Sequence, residues 1–126
     1  MVRRVIQTLQ NQALLQPTGP NMHYATHNDT EIDIFGTHLQ GYIDCSYQRL
    51  TTLFGEPDPT TSWKVNWEWI IKFDDGTVAT VYDWKSGSRL RDIDGDRDTA
   101  IVQWNIGGHN RKALDYLYNT INTDTA

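Results

Sequence analysis

The sequence predicts an α+β domain in which an antiparallel sheet carries two main helices, preceded by an N-terminal helical or extended arm. Apolar residues alternate strictly before a turn at 74–76, and the partner strand after it carries Val78, Thr80, Tyr82 and Trp84 on one side, which indicates a β-hairpin. Two further segments, one before and one after this hairpin, have apolar residues at helical spacing. The order β-α-β-β-β-α is typical of helices gathered on one face of an antiparallel sheet. We divide the 126-residue chain into an arm at 1–38 and a core domain at 39–126.

The arm begins with a segment that fits a short amphipathic helix at 2–15, which the prolines and glycine at 17–20 would end. Residues 21–38 are polar and predict an arm or loop. Two interpretations remain open for the helix: it packs on its own domain, or it reaches a neighbouring subunit. Its apolar positions are Val2, Val5, Ile6, Leu9, Ala13 and Leu14.

The core domain opens with a short strand, HLQGYI, and then a helix in SYQRLTTLFGEP. Ser46 or Asp44 is suited to cap the start of this helix. Gly55 suits the position just past its end, and Pro57 prevents continuation.

The central hairpin is the clearest element of the sequence. In KVNWEWIIKF every second residue is apolar, so these side chains share one face of a strand. The residues DDG at 74–76 form a turn signal in which Gly76 is available for positive φ. The partner strand is TVATVYDWK. After it, IVQW predicts one more strand, Gly107 and Gly108 form the exit, and a final helix runs from about Asn110 to Ile121.

Composition excludes several classes of function. The net charge of −5 argues against binding a nucleic-acid backbone or duplex, because such proteins usually carry a basic face. The single cysteine, Cys45, leaves no internal disulfide and no CxxC motif. No segment resembles a signal peptide or a membrane span, so we expect a cytosolic protein without membrane association.

The residues GGHNRK at 107–112 form the first candidate site. Gly107 and Gly108 would let backbone N–H groups approach a ligand, and a helix N-terminus favours anions. Arg111 and Lys112 are poorly placed at a positive helix end unless an anion lies beside them. The alternative is a tight turn with solvated cations. The ligand-binding residues predicted here are Gly107, Gly108, His109, Asn110, Arg111 and Lys112.

The segment YDWKSGSRLR at 82–91 forms the second candidate site. An aromatic side chain beside cations can stack on a base and neutralise a phosphate. The alternative is a solvated loop on an acidic protein. The ligand-binding residues predicted here are Trp84, Lys85, Arg89 and Arg91.

No signature of catalysis or metal binding is present. The acidic run at 92–98 lacks the glycine and glutamate positions of an EF-hand loop. His23 and His27 are four residues apart but lie in a poor helix, and neither HExxH nor GxSxG occurs. We therefore expect a binding protein with no catalytic residue, metal or cofactor. His109 is the obvious general base if the chain is instead a hydrolase.

Together, LTTLFGEP, KVNWEWIIKFDDGTVATVYDWK and WNIGGHNRKAL resemble the phage anti-Thoeris sponge family over about residues 39–121. Members are oligomers that trap a cyclic ADP-ribose isomer without cleaving it, and some hold cyclic oligonucleotides. The resemblance implies phosphate-binding cations at the last helix, here Arg111 and Lys112, and a base-stacking aromatic, here Trp84. Asp115 and Tyr116 stand where a second arginine would be expected.

The resemblance implies a phage-encoded immune-evasion protein that sequesters a small nucleotide second messenger as a homo-oligomer, a dimer or larger, in the cytoplasm of the infected bacterial host. An alternative from a different class is an anti-CRISPR-like inhibitor that binds a host defence protein.

Overall fold

The computed structural model describes residues 22–58, 65–84, 88–91, 93 and 95–123. The predicted α+β class is confirmed: within these ranges a five-stranded antiparallel sheet carries two helices. The helical prediction for 2–15 lies outside the described residues. The elements are β1 (Tyr24–Thr26), β2 (His38–Ser46), α1 (Tyr47–Phe54), β3 (Val65–Phe73), β4 (Val78–Trp84), β5 (Ile101–Gly108) and α2 (Lys112–Asn122).

The sheet has the order β1-β3-β4-β5-β2, and every neighbouring pair is antiparallel. The predicted hairpin is β3–β4, with Gly76 at φ +93° in its turn. Several boundaries differ from the prediction, and β2 runs on to Ser46. The strand β1 lies in the segment predicted as arm or loop, β5 continues through both glycines, and α2 starts at Lys112. A strand of three residues is too short to show alternation, and backbone pairing with β2 extends β5.

The two faces of the sheet differ in character. The inner face packs against α1 and α2 and carries the buried indoles of Trp69 and Trp104. The opposite side, which we call the outer face, carries a row of mutually paired residues across four strands. In order across β3, β4, β5 and β2 these are Glu68, Tyr82, Asn105 and Tyr42.

Two tryptophans on the inner face of the sheet hold α1 in place. Their rings meet edge to face with centroids 5.4 Å apart, and both are fully buried. The Trp104 indole N–H donates to the carbonyl of Cys45, just before α1, over 3.0 Å. The Trp69 indole N–H donates to the carbonyl of Gly55, just after α1, over 2.8 Å. The pair therefore fixes both ends of a helix that is too short to be stable alone.

Capping residues close in the chain stabilise the ends of α1, and one arginine from α1 stabilises the end of α2. Ser46 caps α1 by accepting a hydrogen bond from the Arg49 N–H, and Gly55 ends it at φ +81°, as predicted. Arg49 reaches across to α2, where its guanidinium donates to the carbonyls of Ile121 and Thr123. A cation at this end also complements the helix dipole. These bonds tie the two helices together at the side of the sheet where α2 ends.

We expect Trp104→Phe and Trp69→Phe each to lower the free energy of unfolding by about 2–3 kcal/mol, because each removes buried ring atoms and leaves a buried carbonyl without its donor. Urea denaturation measures this loss. Trp84→Phe is the control, since Trp84 is exposed, and its effect should stay within about 0.5 kcal/mol. Equal effects at all three positions would contradict the clamp.

Candidate functional site

The glycine pair lies inside β5 and fits close packing on both faces of the sheet. A Cβ on Gly108 would lie 2.3 Å from the Cβ of Ala113 in α2. A Cβ on Gly107 would lie 2.5 Å from the hydroxyl of Thr80 on the outer face. Neither residue has positive φ. Both glycines therefore have a packing reason to be there, whether or not a ligand approaches the backbone.

The start of α2 is organised by its own side chains. The Asn110 side-chain oxygen accepts the Lys112 N–H over 2.9 Å and so takes up one of the free donors of the first turn. His109 donates through Nε2–H to the carbonyl of Phe35 over 2.8 Å, since a carbonyl only accepts. This bond leaves Nδ1 as the acceptor nitrogen and ties the segment before β2 to the end of β5.

Arg111 and Lys112, the two cations at the start of α2, each have a carboxylate beside them. Arg111 lies 3.3 Å from Asp115 on the next turn, and Lys112 lies 3.3 Å from Asp75 in the β3–β4 turn. The side chains of Arg111 and Asp115 are 74% and 56% exposed. An exposed pair of this spacing contributes about 0.3–0.5 kcal/mol, so a phosphate can displace Asp115 at little cost.

Lys112 belongs to a tighter group. Tyr116 donates its hydroxyl to Asp75 over 2.7 Å, and the Lys112 ammonium lies 5.7 Å from the Tyr116 ring centroid. Partial burial opposes ionisation of Asp75, but hydrogen bonds from Tyr116, Thr77 and Lys112 outweigh it and hold its pKa well below the usual range. The hydrogen bond to Asp75 in turn raises the pKa of Tyr116. This group anchors the hairpin turn to α2.

The second predicted cluster is built on a buried carboxylate. Asp83, which is 1% exposed, accepts the Ser88 hydroxyl over 2.6 Å and the N–H groups of Arg89 and Leu90 over 3.4 Å. These bonds fold the segment 88–91 against the end of β4 and place Leu90 in the core. The segment is therefore an ordered turn rather than a solvated loop.

The same turn brings a cation next to Trp84. The Arg89 guanidinium donates to the carbonyl of Gln103 on β5 over 3.2 Å. Because Tyr82 pairs with Asn105, continuing the antiparallel register places Trp84 level with Gln103. Trp84 and Arg89 thus lie at the same end of the sheet. Arg91 is exposed nearby, and Lys85 lies outside the described residues.

The two predicted clusters do not meet within one chain. Gly108 pairs with Ala79, five residues before Trp84 along β4, which corresponds to about 17 Å at the rise of a strand. Trp84 shares the outer face with Tyr82, whereas α2 covers the inner face. A ligand of nucleotide size that touches both clusters has to lie between two chains.

The outer face next to Trp84 is polar, aromatic and partly desolvated. Tyr82 packs edge to face on Trp84 with ring centroids 5.1 Å apart. Burial, with the nearby carboxylate of Asp58, raises the pKa of Glu68. Burial, with the neighbouring Glu68 and Tyr42, raises the pKa of Tyr82. Burial therefore disfavours charge on either group.

Two buried amide nitrogens lack partners in the described part of the chain. Among the described residues, the buried side-chain nitrogens without a hydrogen-bond acceptor are those of Asn66 and Asn105. Asn66 lies at the β-bulge of β3 that faces Trp84, and Asn105 is 4% exposed in the middle of the row. Such groups cost about 1–3 kcal/mol each when left unsatisfied. Nothing in the local sequence marks either residue, and only the strand register brings Asn105 near Trp84.

The remaining candidates for chemistry have structural partners. His27 accepts the Ile70 N–H at Nδ1 and donates from Nε2 to the carbonyl of Glu56, whereas His23 lies 4.0 Å from Asp74. Burial raises the pKa of Cys45 to about 12, against a smaller lowering by Arg49. In the described part of the chain, no three His, Cys, Asp or Glu side chains form a group able to hold a metal ion.

Neither described helix is long and apolar enough to cross a membrane. Comparison with protein-family models, curated proteins and solved structures finds no match to this chain.

We expect Gly108→Ala to lower the free energy of unfolding by about 1–3 kcal/mol, because the new methyl group overlaps Ala113. Adding Ala113→Gly should recover part of this loss, since it removes the overlapping carbon. Urea denaturation of the two variants and of Ala113→Gly alone measures the coupling. Full stability of Gly108→Ala would show that packing does not require the glycine, and would favour a role in ligand approach.

The lowered pKa of Asp75 predicts an acid-sensitive contribution to stability. This contribution is present above the unfolded pKa of about 4 and is lost as the pH falls through the lower folded value. Tyr116→Phe removes the strongest donor, so we expect it to cost about 1 kcal/mol at neutral pH and to weaken the acid-dependent loss. Thermal unfolding across the acid range measures both effects. Tyr118→Phe, on the exposed side of α2, should change neither.

Proposed function

We propose that this chain is a binding protein that sequesters a small cyclic nucleotide signal without cleaving it. The nucleotide class follows the resemblance to anti-Thoeris sponges, which implies a phage-encoded protein acting in the cytoplasm of an infected bacterium. We place the base-binding part of the site on the outer face, around Tyr82, Trp84, Arg89 and Asn105.

The observation that carries this placement is the unpartnered amide of Asn105. Its nitrogen is buried beneath a half-exposed aromatic surface, where it has no acceptor within the described residues. A buried donor without a partner lowers stability, so its presence is accounted for if a ligand atom accepts from it. Tyr42 flanks Asn105 on the edge strand and is 49% exposed. Rotation of this side chain opens the way to the amide.

The neighbours of Asn105 supply the other interactions that a nucleotide needs. Trp84 is 43% exposed, which leaves its ring available to stack on a base. Arg89 uses one N–H group on Gln103 and retains further donors for a phosphate. Glu68 adds carboxyl oxygens that accept hydrogen bonds. Stacking, one charge-assisted contact and amide hydrogen bonds are thus gathered within one patch.

The cluster at the start of α2 enters this proposal through a second chain. Arg111 is held only by an exposed ion pair, so a phosphate competes easily for it. Because the α2 cluster and Trp84 lie on opposite faces, both can contact one ligand only if two copies share it. The proposal therefore includes a homo-oligomer, with Arg111 and Lys112 of one copy facing the ligand held by Trp84 of another.

One observation favours an inhibitor of a host defence protein as the second candidate. Leu39, Tyr42, Trp84 and Ile101 are large apolar side chains exposed on strands of the sheet. The registers place all four on the outer face. Exposed apolar groups on one face are typical of a protein-binding surface. This candidate predicts no response to nucleotides and capture of a protein from host extract.

The proposal is tested by thermal shift and calorimetry with a cyclic ADP-ribose isomer, a cyclic dinucleotide and a cyclic trinucleotide. We expect at least one to raise the melting temperature, and heat denaturation of the complex should release it intact. Nanomolar affinity, the range a sponge needs, corresponds to about −12 kcal/mol. Release of a cleaved product would replace sequestration by hydrolysis, and no response to any of the three would favour the inhibitor.

Variants then test the placement of the site. Trp84→Ala should weaken binding about 5- to 150-fold, the value of one base stack, whereas Tyr118→Ala should not. Asn105→Leu should bind more weakly while folding as stably as the wild type or more so, because it removes an unsatisfied donor. Arg89→Glu and Arg111→Glu should abolish binding, and Arg97→Glu is the charge-matched control. A loss with Arg111→Glu alone would move the whole site to α2.

A further inference from the structure

We propose that β2 is the strand through which two copies of this chain join, edge to edge, into one continuous sheet. The strand order places β1 and β2 at the two edges. The edge at β1 is three residues long, whereas β2 runs for nine residues, His38–Ser46. Only β2 is therefore long enough to pair over several residues, although its Cys45 and His38 carbonyls already accept from the side chains of Trp104 and Gln40.

The free side of β2 is unpaired within the described residues. One side of the strand forms the ladder with β5, from His38 opposite Gly108 to Ser46 opposite Ile101. Beyond this ladder, no backbone–backbone hydrogen bond involves residues 38–46. The two described helices pack against the inner face of the sheet, not against this edge.

The strand carries few of the features that protect natural edges from pairing. Protected edges are short, or carry lysine, proline or several charges, or are covered. β2 contains neither lysine nor proline, and its one acidic residue is Asp44. A bulge near Gly41 is its one irregularity. An open edge of this length and composition is suited to pairing with another strand.

A second copy of the same strand is the partner that its sequence fits best. Antiparallel pairing about a two-fold axis at Tyr42, the middle of the strand, places 41 opposite 43 and 40 opposite 44. The bulge between Leu39 and Gly41 ends the regular ladder at this point. Asp44 thus faces position 40 rather than another carboxylate, while the Gln40 amide keeps its bonds to the carbonyls of Gly108 and His38. A two-fold interface is closed, so pairing stops at two chains per edge.

The same arrangement buries exposed apolar surface. Leu39, opposite Gly107, and Tyr42, opposite Asn105, lie on the outer face and are 47% and 49% exposed. At a two-fold axis on Tyr42 the two tyrosine rings become cross-strand neighbours, a favourable aromatic pair. The outer faces of both copies then form one surface. This interface does not depend on nucleotide binding and is measured without any ligand.

The first experiment is the mass of the ligand-free protein by light scattering. We expect the mass of two chains, or a multiple of it, for the wild type. The variant Leu39→Lys with Tyr42→Lys brings four cations to the axis, so its mass should fall to one half of the wild-type value. Tyr118→Lys, at an exposed aromatic on α2, should keep the wild-type mass.

A cross-link tests the register directly. In Tyr42→Cys the two introduced thiols should form a disulfide between chains under mild oxidation, because paired Cα atoms are about 4.5–5.5 Å apart. The native Cys45 is buried and does not interfere, and Tyr118→Cys is the control that should stay uncross-linked. A monomeric wild type, or an oligomer that survives the lysine variant without the Tyr42→Cys cross-link, would overturn the proposal. A β2-linked dimer that binds no nucleotide would contradict the proposed function but not this interface.

Discussion

The edge-to-face contact between Trp69 and Trp104 is the interaction on which the rest of the structure depends. The two rings lie at the centre of the inner face, and their indole N–H groups reach the carbonyls that flank α1 at either end. This pair therefore holds β3 and β5 together on the inner face and fixes the position of a helix of only eight residues. It also determines which residues of these strands point to the inner face and which to the outer face. Once Trp104 points inward, Asn105 must point outward, because successive residues of a strand alternate.

That alternation creates the outer face and explains its unusual chemistry. The row Glu68, Tyr82, Asn105 and Tyr42 has one residue from each of four strands, so its members are brought together by register alone. Burial raises the pKa of Glu68 and of Tyr82. The Asn105 amide nitrogen in the same row is also buried, and it has no hydrogen-bond partner among the described residues. The polar row is thus the part of the fold most readily understood as a place for a ligand.

The two cations at the start of α2 differ in how strongly the fold holds them. A lysine and an arginine at a positive helix end are unfavourable in isolation, and each has acquired a carboxylate. Lys112 is part of the group with Asp75 and Tyr116 that fastens the hairpin turn to the helix. Arg111 is paired only through an exposed contact of little energy. The two cations are therefore not equivalent: one serves the fold, and the other remains available to an anion.

Local sequence determined the helix α1 with its Ser46 and Gly55 caps, the β3–β4 hairpin with Gly76, and the class of the fold, because each depends on interactions between residues close in the chain. It also identified Trp84 and Arg89 as neighbours, since one short turn joins them. Tertiary structure alone decided that Asp83 orders that turn, that Asp75 neutralises Lys112, and that Asn105 lies beside Trp84. It also separated the two predicted clusters to opposite faces of the sheet. These outcomes depend on strand order and register, which are set by long-range pairing and by the buried tryptophans, and periodicity along the chain does not encode them.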